Sequence, residues 1–373
     1  MIRQNLTFGA PHRAVNACFS IRRLRNKRGS AVPAILSRVF FIGLIACFAG
    51  SGDARASAIT VSAAPVASLA DGRVGAFAFE SVTPRQIMNF VKRAPAEKAV
   101  VTGMLSLPPQ AQGPVPAVVI LHGSLGINPG EWMWAKRMNE LGYASFVVDS
   151  FSGRNIAETE KDQTRLSMAV DIADGYSALR LLATHPAIDP RRIAVMGFSR
   201  GGVAALYSSL EPFRKGIIDD DLRFAAHIAF YPSCGIHYAS DHQDGAPVLM
   251  LLGGKDDYTP AAPCMAYADD LKAKGAWVTV KIYPDAYHAF DRFTPLRTVP
   301  SATSARLCHG EYDLDSGRFT MASGAGIVSG GEAKIAAQAC LRRGVTIGGD
   351  PVGREQSPAL VASFLQSAFA VER

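Results

Sequence analysis

The sequence predicts an α/β protein: a mainly parallel sheet with helices on both faces. Three observations predict it. Short, continuous apolar runs such as "PAVVILHG" (116–123) have the pattern of strands buried on both faces. Stretches with helical apolar spacing lie between these runs, and the connections are of the right length for strand–helix–strand units. The chain has 373 residues, 48% apolar and 19% charged, enough for one large globular domain with a substantial core.

Taken in order, residues 57–71 are Ala/Ser-rich and read as an irregular arm. "GAFAFESV" and "AVVTGMLSLP" are two early strands, and "PAVVILHG" is the third. "EWMWAKRMNELG" is a helix closed by Gly142, followed by the strand "YASFVVDSF". Residues 163–183 have helical spacing, then come the strand "RIAVMG" and a helix after Ser199. The strands "AAHIAFYP" and "PVLMLLGG", the helix "APCMAYADDLKAKG" and a last strand "WVTVKIYP" continue the alternation, which ends in the helix "SPALVASFLQSAF". No repeat interrupts it, so residues 72–373 are expected to be a single domain. The Gly-rich stretch at about 295–353 reads as an insertion pinned by cysteines.

The net charge is +7, but residues 1–56 alone hold nine Lys/Arg and one acid, Asp53. The remainder carries 39 − 9 = 30 basic against 32 − 1 = 31 acidic residues, so no nucleic-acid partner follows from the charge. "RRLRNKRGS", the apolar run Val39–Gly50 and "DARAS" are the three parts of an export signal, with cleavage expected after Ala56. The run is 12 residues, short of the ~20 needed to span a bilayer, so no span is expected in the mature chain. A periplasmic or secreted protein is implied. The rival is "LIAC", which resembles a lipoprotein box and would leave Cys47 lipidated. Four cysteines follow the leader, and they lack the Cys-x-x-Cys spacing of a zinc site, so no metal is expected. In an exported protein their even number suggests disulfides. Cys234 lies just after one strand and Cys264 at the start of the helix after its neighbour, which predicts Cys234–Cys264 and Cys308–Cys340.

"MGFSRGG" (196–202) places Ser199 among glycines between a strand and a helix. Gly-x-Ser-x-Gly at such a junction is a nucleophile elbow, in which neighbours must be small and the serine is exposed. A serine hydroxyl needs a base and an acid group to orient that base. "KDDYTP" after one strand offers Asp256 or Asp257. "DAYHAFD" after the last strand offers His288. The order Ser, Asp, His and the placement at carboxy ends of parallel strands agree. His122 reads as a loop support and His227 as a satisfied core residue. In "LHGSLG" (121–126) the backbone N–H of Ser124 or Leu125, with that of Arg200, is suited to hold a developing oxyanion.

"PAVVILHGSLG", "VVDSF", "MGFSRGG", "LLGGKDDYTP" and "YPDAYHAFD" together resemble the dienelactone hydrolase family, over roughly residues 75–295. The resemblance implies an α/β-hydrolase fold, a nucleophile–His–Asp triad of Ser199, His288 and Asp256 (favoured over Asp257 by the Gly-x-x-Asp-x-x-x-Pro spacing of related hydrolases, here Gly253 to Pro260), and cofactor-free hydrolysis of a small-molecule ester or lactone. Dienelactone hydrolases proper carry cysteine at the elbow. Ser199 therefore implies greater dependence on the His–Asp pair. Arg292 and Arg154 are candidates to meet a substrate carboxylate. A peptidase of the same fold and a catalytically silent binding protein are the rival readings, and the sequence leaves the oligomeric state open.

Overall fold

Along the third strand, Ala117, Val119 and Leu121 belong to one apolar core and Val118 and Ile120 to another. A strand alternates its side chains between faces, so this run must lie in the middle of a covered sheet. The computed structural model describes Ile59, Val61, residues 64–323 and residues 326–371. The predicted leader, with Cys47 and its cleavage site, lies outside the described residues.

Strands β1 (Gly75–Thr83) and β2 (Glu97–Ser106) flank the short helix α1 (Met88–Val91). Next come β3 (Val115–Leu121), α2 (Pro129–Glu140), β4 (Ala144–Asp149), α3 (Ala169–Leu182), β5 (Ile188–Phe198) and α4 (Arg200–Tyr207). They are followed by α5 (Glu211–Ile217), β6 (His227–Phe230), β7 (Ile236–Ala239), β8 (Val248–Gly253), α6 (Ala261–Ala273) and β9 (Val278–Tyr283). The main sheet has the order β1-β2-β4-β3-β5-β6-β8-β9, and every pairing from β4 to β9 is parallel. Helices α3, α4, α5 and α6 cover one core, and α2 and a final helix cover the other. The expected mainly parallel α/β sheet is the one observed. Between β4 and β5 the chain crosses β3, which opens a crevice at the carboxy ends of β3 and β5.

Local chemistry sets the helix ends. Asn128 and Glu131 form a reciprocal capping box at the start of α2, and Gly142 closes it at φ 85°. The arm before β1 is irregular yet fastened: Leu69 is buried and its N–H donates to Thr184 Oγ1 at 2.8 Å.

The stretch after β9 differs from the expectation that "WVTVKIYP" is the last strand. It holds β10 (Arg297–Ser304), β11 (Gly310–Asp313), β12 (Arg318–Ser323), β13 (Gly326–Ser329), α7 (Gly330–Ala339) and β14 (Arg342–Ile347). β10 pairs with β14, while β13-β12-β11-β7 form a second small sheet. These strands are short and half-exposed, so no continuous apolar run announces them. The final helix α8 (Pro351–Ala370) starts earlier than expected, because Asp350 caps it and Pro358 lies inside it. Among the described residues no helix is long and apolar enough to cross a membrane.

Candidate active site

Strand β5 delivers Ser199 at φ 54°, ψ −111°, a conformation that costs a non-glycine residue strain. The turn is held by Ser199 N–H donating to the Phe230 carbonyl and Val203 N–H to the Ser199 carbonyl, both at 2.9 Å. Two glycines are obligatory by contact. A Cβ on Gly197 would sit 1.9 Å from the Gly201 carbonyl oxygen, and one on Gly201 would sit 2.3 Å from that of Leu121. The elbow is thereby pressed against the end of β3.

The loop after β8 brings Asp256 to His288. Asp256 Oδ1 accepts the N–H groups of Tyr258 and Thr259, each at 2.8 Å, while Oδ2 faces His288 Nδ1 at 2.8 Å. Thr259 Oγ1 stands 3.0 Å from Asp256 Oδ2 and 3.0 Å from His288 Nδ1. The imidazole lies between the rings of Tyr231 and Tyr258, with centroids 4.6 and 4.7 Å away. Asp257 turns the other way: its Oδ1 accepts Thr346 N–H at 2.7 Å and its Oδ2 accepts the Thr346 hydroxyl at 3.0 Å. Of the two acids the sequence left open, Asp256 is the one beside His288.

The loop after β3 closes the third side. A Cβ on Gly123 would lie 3.6 Å from Ser199 Cβ, so this loop abuts the elbow. Gly126 N–H donates to the Gly123 carbonyl at 3.0 Å, and the Ser124 carbonyl accepts Thr159 N–H at 2.8 Å. The N–H groups of Ser124, Leu125 and Arg200 have no acceptor among the described residues. His122 supports the loop as expected, accepting Ser150 N–H at Nε2 and contacting the Gly123 carbonyl through Nδ1. His227 is a satisfied core residue between Asp244 and Ser208.

Half-buried Ser199 lines a cavity of about 190 Å³ with Ser124, Gln163, Tyr258 and Thr259. Its hydroxyl makes no hydrogen bond among the described residues. The family model described as the dienelactone hydrolase family matches residues 101–306, a span that contains Ser199, Asp256 and His288. The chain belongs to the dienelactone hydrolase family. It is a carboxylic ester or lactone hydrolase of that type. Over 206 residues it is 25% identical to a Yersinia pestis protein assigned as a carboxymethylenebutenolidase, an alignment covering 53% of this chain and 76% of that one. Over 198 residues it is 23% identical to a Bradyrhizobium sp. protein assigned as a 2-oxo-3-(5-oxofuran-2-ylidene)propanoate lactonase, covering 49% and 76%. The solved structure of m3DLH shares the fold at TM-score 0.50 and 18% identity, covering 79% of this chain and 99% of that one.

In this family member, sequence reasoning missed Thr259, Tyr258 and Gln163. Gln163 Nε2 donates to Ser124 Oγ at 2.9 Å and stands 3.4 Å from the Tyr258 hydroxyl. The Tyr-Thr pair after Asp256 in "KDDYTP" was the available signal. The two arginines expected near a substrate carboxylate have internal partners instead. Arg154 forks onto Asp174 with two 2.8 Å contacts, and its side chain is 6% exposed. Arg292 pairs with Glu131 at 2.8 Å and Asp291 at 3.3 Å, bonds Asn128, and stacks over Phe198. Neither lines the cavity. Both expected disulfides are present, Cys234–Cys264 and Cys308–Cys340. Among the described residues no cluster of ligand-type side chains is arranged to hold a metal.

Proposed function

We propose that this chain is a serine hydrolase that cleaves a small ester or lactone through an acyl-enzyme, using Ser199, His288 and Asp256. The observation that carries this reading is the 2.8 Å contact of Asp256 Oδ2 with His288 Nδ1, whose neighbours Tyr258 and Thr259 line one cavity with a strained Ser199. A carboxylate only accepts hydrogen bonds, so Nδ1 holds the ring proton and Nε2 is left as the base. Nε2 takes the Ser199 proton as Oγ attacks the acyl carbon, then returns it to the leaving oxygen. Water repeats the cycle on the acyl-enzyme: His288 takes its proton, hydroxide adds to the acyl carbon, and Ser199 leaves reprotonated. The N–H groups of Arg200 and of Ser124 or Leu125 hold the oxyanion. The names of the relatives support a lactone or enol ester as the scissile group. Two disulfides fit an oxidising compartment, so export through the leader belongs to the same proposal.

Ser199→Ala tests it. The variant is expected to fold normally and to lose both fluorophosphonate labelling and ester turnover, the latter by ~10⁵-fold or more. A variant that retained either would place the chemistry elsewhere.

A further inference from the structure

Catalytic geometry says nothing of which substrates the cavity admits, but its charges do. Among the described residues lining it, Arg200 is the sole cation. Its side chain is 1% exposed, lies 2.8 Å from Asp171 Oδ2 and donates to the Ser167 carbonyl at 2.8 Å. The Asp171 contact is close but poorly aligned for a hydrogen bond, and Arg200 Nε and Nη1 are sealed without partners. The guanidinium is thus neutralised in place, and only the Arg200 backbone can serve a substrate. Arg306, which follows the lining residue Ala305 in the chain but does not line the cavity, donates through Nη1 to the carbonyls of Asp257 and Gly344.

The opposite sign is well represented. Asp256 lies behind His288, and Glu160, buried at 9% exposure with Arg297 acting on its carboxyl, adjoins the cavity where its carbonyl accepts the N–H of the lining residue Thr303 at 2.9 Å. The cavity wall itself offers neutral polar groups (Ser124, Gln163, Tyr258, Thr303) and apolar ones (Met168, Val203). A carboxylate brought into such a place loses its hydration and meets no free cation among the described lining residues. A volume of about 190 Å³ also falls below the ~300 Å³ at which drug-sized ligands begin to fit.

We infer that the substrate is a compact, uncharged ester or lactone, and that the cavity discriminates against carboxylate-bearing ones. This rests on the serine hydrolase reading for its chemistry, while the charge preference is a property of the cavity itself. The discriminating element is the lack of a free cation among the described lining residues, so the selectivity arises from an uncompensated charge rather than from shape.

A matched pair reads it. 4-Acetoxybenzamide and 4-acetoxybenzoate have the same acyl group and nearly the same size, and differ in the charge of the leaving group. For the unaltered protein, kcat/KM is expected to be at least thirty-fold higher for the benzamide; a smaller ratio overturns the inference. The second arm uses Ser199→Ala protein with ¹³C-methyl methionine, in which Met168, on the cavity wall, reports binding without turnover. The benzamide should shift the Met168 methyl with a Kd at least tenfold lower than the benzoate. Equal constants, or no shift with either ester at 10 mM, overturn it. Residual turnover in Ser199→Ala is the separate sign that the serine hydrolase reading has failed, because the Met168 titration does not depend on catalysis.

Discussion

The body of the molecule and the roof after β9 are held together in different ways. In the body, the eight-stranded sheet is sandwiched between two large apolar cores, and β3 and β8 are buried along nearly their whole length. The roof, by contrast, has small clusters: Tyr258, Val299, Ala302 and Val345 in one, and Cys308 with Met321 at the centre of the other. Its remaining hold on the body is one buried side chain, Leu314, set into the larger core with Tyr312 against it, and polar contacts: β7 paired to β11, Asp257 bonded to Thr346, and the Arg306 bridge; its disulfide closes the roof on itself. Yet the roof supplies Thr303 and Ala305 to the cavity beside Ser199. The machinery of the reaction is therefore built on the rigid part and the shape of the substrate site partly on the weaker one, an arrangement in which one scaffold can serve different substrates.

The neighbouring acids Asp256 and Asp257 divide between these two regions, which gives the largest expected effect. Asp256→Asn should lower kcat by ~10⁴-fold with stability little changed, because the amide reverses the donor pattern at His288 Nδ1. Asp257→Asn should leave kcat within about tenfold and instead loosen β14, seen as faster amide exchange at Thr346. If Asp257→Asn proved the crippled variant, the division of the two acids between body and roof would be wrong.

The disulfides sharpen the comparison in energetic terms. Their sequence separations are 30 and 32 residues, so chain entropy assigns each about 3–4 kcal/mol. Location should separate them. Cys234 and Cys264 are buried in the larger core, and replacing both with serine should lower the main thermal transition. Replacing Cys308 and Cys340 should chiefly raise hydrogen exchange and proteolysis within 297–347, with the main transition nearly unmoved. Equal drops in the main transition for both pairs would mean that roof and body unfold as one unit.

The same division explains what could be read in advance. β3, β5 and β8 were visible because strands buried on both faces must be apolar throughout, and the elbow was visible because Gly197 and Gly201 meet backbone where no side chain fits. Which of Asp256 and Asp257 faces His288 was a matter of spacing only, since the loop's direction depends on Thr259 and on Thr346, 89 residues beyond Asp257. β10 to β14 went unseen because a half-exposed strand of four to eight residues has no distinctive apolar pattern. Arg154 and Arg292 were candidates because sequence reveals charge and not burial; their partners Asp174 and Glu131 lie 20 and 161 residues away.

The smallest expected effect lies at the seam itself. The Glu160 carbonyl accepts Thr303 N–H at 2.9 Å, tying body to roof, while burial pushes the Glu160 side-chain carboxyl up, with Arg297 and His288 pulling it partly back. A carboxyl raised in the folded state favours folding when protonated. That contribution is complete below the ordinary value of 4.5 and is lost as pH rises through the folded value. Glu160→Gln removes the ionisable group and keeps the backbone link. Relative to the unaltered protein, the variant should therefore gain stability at about pH 8, and the gain should vanish near pH 4, as read by urea midpoints at the two pH values. A variant less stable at pH 8 than its parent, with no such loss at pH 4, would mean that the ionised carboxylate is paired at the seam. The roof would then be held by charge as well as by hydrogen bonds and Leu314, and the contrast between the two regions would narrow.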